Sequence, residues 1–127
     1  MQQHPKRIPM ILVLENDAAV RNSMKFSLEA EGYQVRAYSK ALDVLEAPDL
    51  SEIDCLVVDY RLEGMNGLEL VRQMRARRIR APVIMITTLP SLDLHRDANA
   101  AGIPIVEKPL LGNTLADQIR SVVGSKG

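Results

Sequence analysis

Aromatic residues are scarce in this 127-residue chain, which has three tyrosines, one phenylalanine and no tryptophan. Proteins that bind single-stranded nucleic acid stack the bases on aromatic side chains, so the sequence gives poor support for such a surface. A charge excess is missing too, because 16 lysines and arginines balance 16 aspartates and glutamates. A neutral domain has no overall basic field to attract nucleic acid or anionic lipid. We therefore expect neither as a direct partner.

Cysteine and long apolar runs are also rare. Cys55 is the single cysteine of the chain and cannot form an internal disulfide, which fits a reducing cytosol. It lies within an apolar run, so we expect a buried and unreactive thiol. Residues 1–7 are polar, and no apolar stretch after them is long enough for a signal peptide or a membrane span. These features predict a cytoplasmic location.

Short apolar runs do alternate with helix-like segments. The length suits one domain, expected over residues 8–124 with tails at 1–7 and 125–127. The predicted strands are 10–14, 34–38, 55–59, 83–87 and 103–106. The predicted helices are 18–31, a short one capped by Ser39 and ending at Leu45, 67–78, 91–101 and 113–123. Five strand–helix units with short connections predict an α/β fold, a doubly wound five-stranded parallel sheet with helices on both faces.

Polar residues follow the apolar strands of this predicted sheet. The carboxyl ends of parallel strands share one edge, so we expect these side chains to meet there. They are Glu15, Asn16 and Asp17 after the first strand, Asp59 at the end of the third, Thr87 and Thr88 at the end of the fourth, and Lys108 after the fifth.

The chemistry of this set is that of a phosphate-accepting site. Clustered carboxylates need a cation to offset their repulsion, and Mg²⁺ takes one or two carboxylates together with water and phosphate. Asp59 is the candidate nucleophile, Lys108 would neutralise phosphate charge, and the Thr87 hydroxyl would bind a phosphate oxygen. Asp17 has an alternative role as the N-cap of the first helix.

The motifs at these strand ends resemble those of the receiver domain of bacterial two-component response regulators, most closely the FixJ type. The segments that carry the resemblance are Ile11–Asp17, Val57–Leu62 with Met65-Asn66-Gly67, Val83–Thr87 and Glu107-Lys108-Pro109. The resemblance implies a flavodoxin-like or CheY-like fold with strand order 2-1-3-4-5. It also implies that Asp59 accepts a phosphoryl group from a histidine kinase or phosphotransfer protein.

Several further roles are implied only by this resemblance. Mg²⁺ would be held by Glu15, Asn16, Asp59 and the backbone carbonyl of Arg61, with Thr87 as the switch hydroxyl. The domain would assist its own phosphorylation and dephosphorylation without being a turnover enzyme. An output domain or downstream protein would read the switch through the surface formed by helix 4, strand 5 and helix 5. A homodimer is a further possibility, with Leu92, Leu94 and Leu111 expected to be exposed on that surface.

Four residues depart from the family pattern, one of them Glu63, which stands where proline is usual. The second acid of the pair after the first strand is replaced by Asn16, which offers an amide oxygen without charge, so we expect weaker Mg²⁺ binding. The aromatic residue usual at the switch position is replaced by Ile105, which is shorter and stiffer at χ1. Thr88 stands where a smaller residue is usual, and it would narrow access to Asp59.

Other interpretations stay open on the sequence alone. The chain could be a pseudo-receiver, a protein-binding module in which metal binding and phosphorylation are weakened. A small flavin-binding protein is disfavoured, because stacking aromatics and a phosphate loop are lacking. A run of arginines spans residues 72–80, with Arg72, Arg75, Arg77, Arg78 and Arg80. We interpret it as a solvated helix face, the alternative being a docking patch for an acidic partner.

Overall fold

Short apolar runs form the strands of the protein, and a helix follows each one. The computed structural model describes residues 8–110 and 112–123. The strands are β1 Met10–Leu14, β2 Gln34–Tyr38, β3 Cys55–Asp59, β4 Val83–Thr87 and β5 Ile105–Glu107. The helices are α1 Ala18–Ala30, α2 Ala41–Leu45, α3 Gly67–Ala76, α4 Leu92–Ala100 and α5 Thr114–Val123, with a short 3₁₀ helix at Leu50–Glu52.

All strand pairs are parallel, and the order across the sheet is β2-β1-β3-β4-β5. The predicted order and the predicted parallel pairing are thus confirmed. The switch point of this order lies between β1 and β3, where open α/β sheets bind ligands at the carboxyl ends of the strands. The topology therefore brings the ends of β1 and β3 side by side.

Two apolar layers cover the sheet, one on each face. Alternate strand residues such as Leu12, Val58 and Met85 face α2, α3 and α4. The intervening residues, such as Val13 and Ile84, face α1 and α5. The central strands β3 and β4 are buried along their whole length because both faces are covered.

Cys55 lies in the layer beneath α1 and α5 and is fully buried. Burial, and to a lesser extent the charge of Asp54, raises the pKa of its thiol to about 12. The expectation of a buried cysteine is confirmed.

Helix starts follow the expected capping chemistry in three places and depart from it in one. Asp17, Asn66 and Ser91 each accept a backbone N–H of the helix that follows, at 3.0, 2.9 and 3.0 Å. The predicted cap of α2 by Ser39 is wrong. Lys40 holds the N-cap position there, and no side chain accepts a bond from the helix.

Two element boundaries also differ from prediction. The strand predicted at 103–106 is Ile105–Glu107, because the Ile103 amide closes the end of α4 by donating to Ala98 O at 2.8 Å. Helix α3 ends at Ala76, two residues early, because Arg78 adopts a left-handed conformation with φ of 65°. Such a residue terminates a helix.

One of the leucines that we expected to be exposed is exposed, and another is buried. Leu92 is 80% exposed on α4, whereas Leu94 is 4% exposed, because two residues along a helix place the side chain on the opposite side. Leu111 and the predicted tails lie outside the described residues. None of the helices within 8–110 and 112–123 has the length and apolar character needed to cross a bilayer.

Candidate functional site

The ends of β1, β3 and β4 bring buried polar residues together at one edge of the sheet. Glu15, Asp59 and Thr87 are the buried polar or charged residues of the described chain, at 1%, 4% and 1% exposure. Glu15 continues the β1 ladder, since its N–H donates to Tyr38 O at 3.0 Å. Asp59 and Thr87 are the last residues of their strands. Their side chains are buried because the backbone at each strand end lies between neighbouring strands that are themselves covered.

Lys108 supplies the positive charge of this edge. Its N–H donates to Thr87 O at 2.8 Å, which continues the pairing of β4 with β5 and aims the side chain across the strand ends. The ammonium nitrogen lies 2.9 Å from Asp59 Oδ2 and 2.8 Å from Glu15 Oε1. The first contact is a hydrogen bond. One cation therefore bridges two buried carboxylates.

The pKa values of this cluster reflect a competition between burial and charge. Burial raises the pKa of Glu15, and this outweighs the lowering effects of Lys108 and of the Asp17 amide. Burial alone would lower the pKa of Lys108, but its contacts with Glu15 and Asp59 are stronger and raise the pKa above the ordinary value. At neutral pH the lysine is therefore charged.

The loop between β3 and α3 fixes the orientation of the Asp59 carboxylate. The Arg61 N–H donates to Asp59 Oδ1 at 3.0 Å, and Arg61 pairs with Asn66 in an isolated antiparallel bridge. Gly67 begins α3 directly against the strand end. A Cβ on Gly67 would lie 2.8 Å from Asp59 O and 2.7 Å from Met85 Sδ, so only glycine fits without a shift. With Lys108 donating to Oδ2 and the Arg61 N–H donating to Oδ1, each carboxylate oxygen of Asp59 has a donor.

Arg21 is a member of the site that is not among the residues predicted from sequence. Its Nη1 donates to Glu15 O at 2.8 Å and approaches Asn16 O at 3.5 Å, which ties α1 to the loop after β1. On the far side of the same loop, the Asp17 N–H donates to Glu15 Oε2 at 2.9 Å. The sequence signal was only an arginine one turn into α1, a position that ordinary surface arginines also occupy.

The remaining predicted residues surround this cluster at different depths. Asn16 is exposed beside Glu15, and Thr88 is exposed beyond Thr87. Ile105 is half-buried at the start of β5 and packs against the apolar layer under α2, α3 and α4. Asp17 caps α1, which is its predicted alternative role.

The donors at this edge fit a hard divalent cation that keeps part of its water. Glu15 Oε1 is fully buried, makes no hydrogen bond within the described residues, and has the Lys108 ammonium 2.8 Å away as its ion-pair partner. A buried carboxylate oxygen that no neutral donor occupies can bind a cation, as it does here with the ammonium. The described residues contain no cluster of three or more histidine, cysteine, aspartate or glutamate side chains suited to a metal. The ligands predicted from the family resemblance include only two carboxylates, Glu15 and Asp59, and such a set would leave positions for water, as Mg²⁺ prefers.

A groove of about 590 Å³ leads from Lys108 and Thr88 along the outer face between α1 and α5. Its α1 wall is formed by small and apolar residues, including Ala19, Ser23 and Met24.

Comparison with known proteins agrees with this geometry. Residues 11–120 match the family model of the response regulator receiver domain. The chain belongs to this family. It is 33% identical over 115 residues to the transcriptional regulatory protein FixJ of Bradyrhizobium diazoefficiens, covering 89% of this chain and 56% of that protein. It is 31% identical over 121 residues to FixJ of Azorhizobium caulinodans, covering 94% and 57%. The chain thus spans little more than half the length of these relatives.

Solved structures show the same fold. The response regulator StyR matches with a TM-score of 0.85 and 28% identity, over 94% of this chain and 61% of that one. A CheY-like receiver domain protein from Methanospirillum hungatei matches with a TM-score of 0.83 and 26% identity, over 94% and 97%. The protein is a FixJ-like receiver domain with a CheY-like α/β fold.

Proposed function

We propose that this domain accepts a phosphoryl group on Asp59 from a phosphohistidine of a histidine kinase or phosphotransfer protein. A carboxylate oxygen of Asp59 attacks phosphorus, the P–N bond to the donor histidine breaks, and the histidine leaves with a proton. The product is an acyl phosphate. The observation that carries the proposal is the ammonium of Lys108, held between Asp59 and Glu15 at 2.9 and 2.8 Å.

The site residues have distinct roles in this proposal. Lys108 exchanges part of its carboxylate contact for the incoming phosphoryl oxygens and offsets their charge. The Thr87 hydroxyl binds the phosphoryl group once it has arrived. Arg61 keeps the Asp59 carboxylate oriented through its backbone N–H.

Glu15, Asn16, Asp59 and the Arg61 carbonyl would hold Mg²⁺. When bound, the ion neutralises charge on the transferring oxygens. Because Asn16 brings no charge, binding is weaker than with a second acid. Two unit charges about 4 Å apart interact by about 4 kcal/mol at an effective dielectric near 20, and retained water reduces the difference. Titration of Mg²⁺ should therefore show tighter binding to Asn16→Asp than to the wild type; equal affinities would contradict this role.

Partner access follows from two surfaces. The groove between α1 and α5 ends at Thr88 and Lys108 and would bring the phosphodonor to the site, where Thr88 would narrow access to Asp59. On another side, Leu89 and Leu92 are exposed at 81% and 80% at the start of α4. This supports the surface of α4, β5 and α5 as the region that contacts an output domain, a downstream protein or a second copy. Ile105, on β5, couples this surface to the site without an aromatic ring.

Intact-mass measurement after incubation with acetyl phosphate and Mg²⁺ tests the proposal. The wild type should gain the mass of one phosphoryl group, and Asp59→Asn should gain none. No adduct on the wild type would favour a pseudo-receiver. An adduct on Asp59→Asn would place the acceptor elsewhere.

A further inference from the structure

The arginines of the segment 72–80 are not spread evenly over the neutral chain. These nine residues contain five arginines and no acid, so the rest of the chain carries a formal excess of five negative charges. The segment covers the last turns of α3 and the connection to β4, and α3 begins at the strand end that carries Asp59. The concentrated positive charge therefore lies at the far end of α3 from the site.

Structural roles account for two of the five arginines. Arg75 Nη1 donates to Ile79 O and Arg77 Nη1 to Leu45 O, at 2.7 and 2.8 Å. Cations that bind carbonyls near a helix C-terminus stabilise the fold. Arg72 has an exposed pair with Glu69 at 3.3 Å, which is weak and easily exchanged. Within the described residues, Arg78 and Arg80 have no ion pair.

A cleft of about 330 Å³ lies beside this charge, between α3 and α4. We call it the α3–α4 cleft. Leu68, Val71 and Ile103 line its apolar part and are themselves 8%, 5% and 6% exposed. Arg72 and Arg75 form the rim on α3, while Asp97 and Ala101 line the α4 side.

The charge of the rim is not neutralised across the cleft. No ion pair joins Asp97 to either arginine in the part of the chain that the structure describes. Arg75 has no ion pair within the described residues, and burial, with a smaller effect of the Arg80 charge, lowers its pKa. A partner with negative charge would stabilise the charged form of this guanidinium.

We propose that the α3–α4 cleft binds an acidic amphipathic segment of a protein partner. Apolar side chains of the segment enter the cleft, and its carboxylates pair with Arg72 and with the N–H groups of Arg75 that do not bind Ile79 O. This is the helix-in-groove mode of recognition. The apolar lining disfavours a nucleic acid, because a phosphate backbone has no aliphatic side chain to place in the cleft. At about 330 Å³ the cleft is at the small end of the range of binding pockets and suits one or two anchoring side chains.

The proposal does not depend on phosphoryl transfer at Asp59, since no residue of the cleft belongs to that site. The probe is a short fluorescent peptide of leucine and glutamate at helical spacing, with a second peptide in which lysine replaces glutamate. Anisotropy with the full chain should show saturable binding of the acidic peptide only, weakening as salt is added. Amide chemical shifts should change along α3 and α4.

Two variants and a matched control sharpen the test. Arg72→Glu should weaken binding about fivefold or more, since it replaces an exposed attraction by a repulsion. Ala101→Leu should also weaken it, by filling the cleft. Arg96→Glu, on α4 and outside the cleft, makes the same charge change and should leave affinity within about twofold. Equal losses for both reversals, shifts confined to other elements, no saturable binding, or equally tight binding of a DNA duplex would each overturn the proposal.

Discussion

The ammonium nitrogen of Lys108 lies 2.9 Å from Asp59 Oδ2, and the same nitrogen lies 2.8 Å from Glu15. The two acids are buried at the ends of different strands. Lys108, which follows a third strand, offsets their mutual repulsion. The first two predictions follow from this bridge.

Replacement of Lys108 by methionine should destabilise the fold by about 3 kcal/mol at pH 8 in EDTA, because it leaves buried carboxylates without their cation. The loss should shrink as the pH falls, since burial raises the pKa of Glu15 and its protonation removes an unpaired charge. Urea denaturation at pH 8 and at lower pH values measures it. Lys25→Met is the control, because Lys25 has only an exposed pair with Glu29 and should cost less than about 1 kcal/mol. Equal losses for the two variants would contradict the bridge.

Replacement of Glu15 by glutamine should stabilise the metal-free protein at neutral pH. Burial raises the pKa of folded Glu15 above the ordinary 4.5. Between these two values the folded state holds more protons than the unfolded state, so wild-type stability falls as pH rises through the window. The glutamine variant lacks this penalty. Its advantage in denaturation midpoint should be absent below pH 4.5 and constant above the raised pKa; a variant less stable than wild type at pH 7 would refute the direction.

Alanine at position 67 should destabilise the protein by about 1–3 kcal/mol, because the new methyl group would overlap Asp59 O and Met85 Sδ. In an open helix the same change is stabilising by up to about 1 kcal/mol, so the sign identifies the contact. Thermal unfolding measures the effect. Combining it with Met85→Ala should give little rescue, since the backbone oxygen stays in place. A Gly67→Ala variant more stable than the wild type would contradict this prediction and show that the backbone at Asp59 can shift to accommodate the methyl group.

Glycine at position 78 should stabilise the protein by about 0.5–1 kcal/mol, because Arg78 has φ of 65° and non-glycine residues are strained there. Arg80→Gly is the matched control. It removes the same charge without a left-handed conformation and should be neutral or destabilising, since glycine adds freedom to the unfolded chain. Denaturant midpoints compare the two, and equal effects would mean that charge, rather than backbone strain, decides stability here.

The Cys55 thiol should not react with iodoacetamide in the native protein. It is fully buried with its pKa raised to about 12, so little thiolate forms at pH 8 and the reagent has no access. Modification should appear only in denaturant, as a mass increase of one carbamidomethyl group. Rapid labelling of the folded protein would reveal frequent opening of the layer beneath α1 and α5.

Strands were the most predictable part of the fold. Runs such as Met10–Leu14 and Val83–Thr87 match the observed strands at both ends, because a strand covered on both faces must be apolar throughout. The end of α4 and the start of β5 were harder to place. Ile103 is apolar and β-branched like a strand residue, yet its amide serves the helix end. The short 3₁₀ helix at Leu50–Glu52 was missed, since three residues carry no periodicity.

The candidate site was predictable as a set of positions but not as a set of contacts. Parallel topology alone places Glu15, Asp59 and Lys108 at one edge. Which acid the lysine meets depends on side-chain reach and burial, and it meets both. Arg21 binds through backbone carbonyls, which every residue possesses, so no residue type in the loop marked it. The proposed roles of these residues in phosphoryl transfer stay predictions.

The clustering of arginines in residues 72–80 has an electrical consequence for the whole molecule. A chain with no net charge that concentrates five positive charges in nine residues has a permanent dipole moment. In the field of a negatively charged partner, the domain should rotate before contact so that the arginine segment faces the partner. On ion-exchange media at neutral pH and low salt it should be retained by cation exchangers through that end, despite a pI of about 6.7.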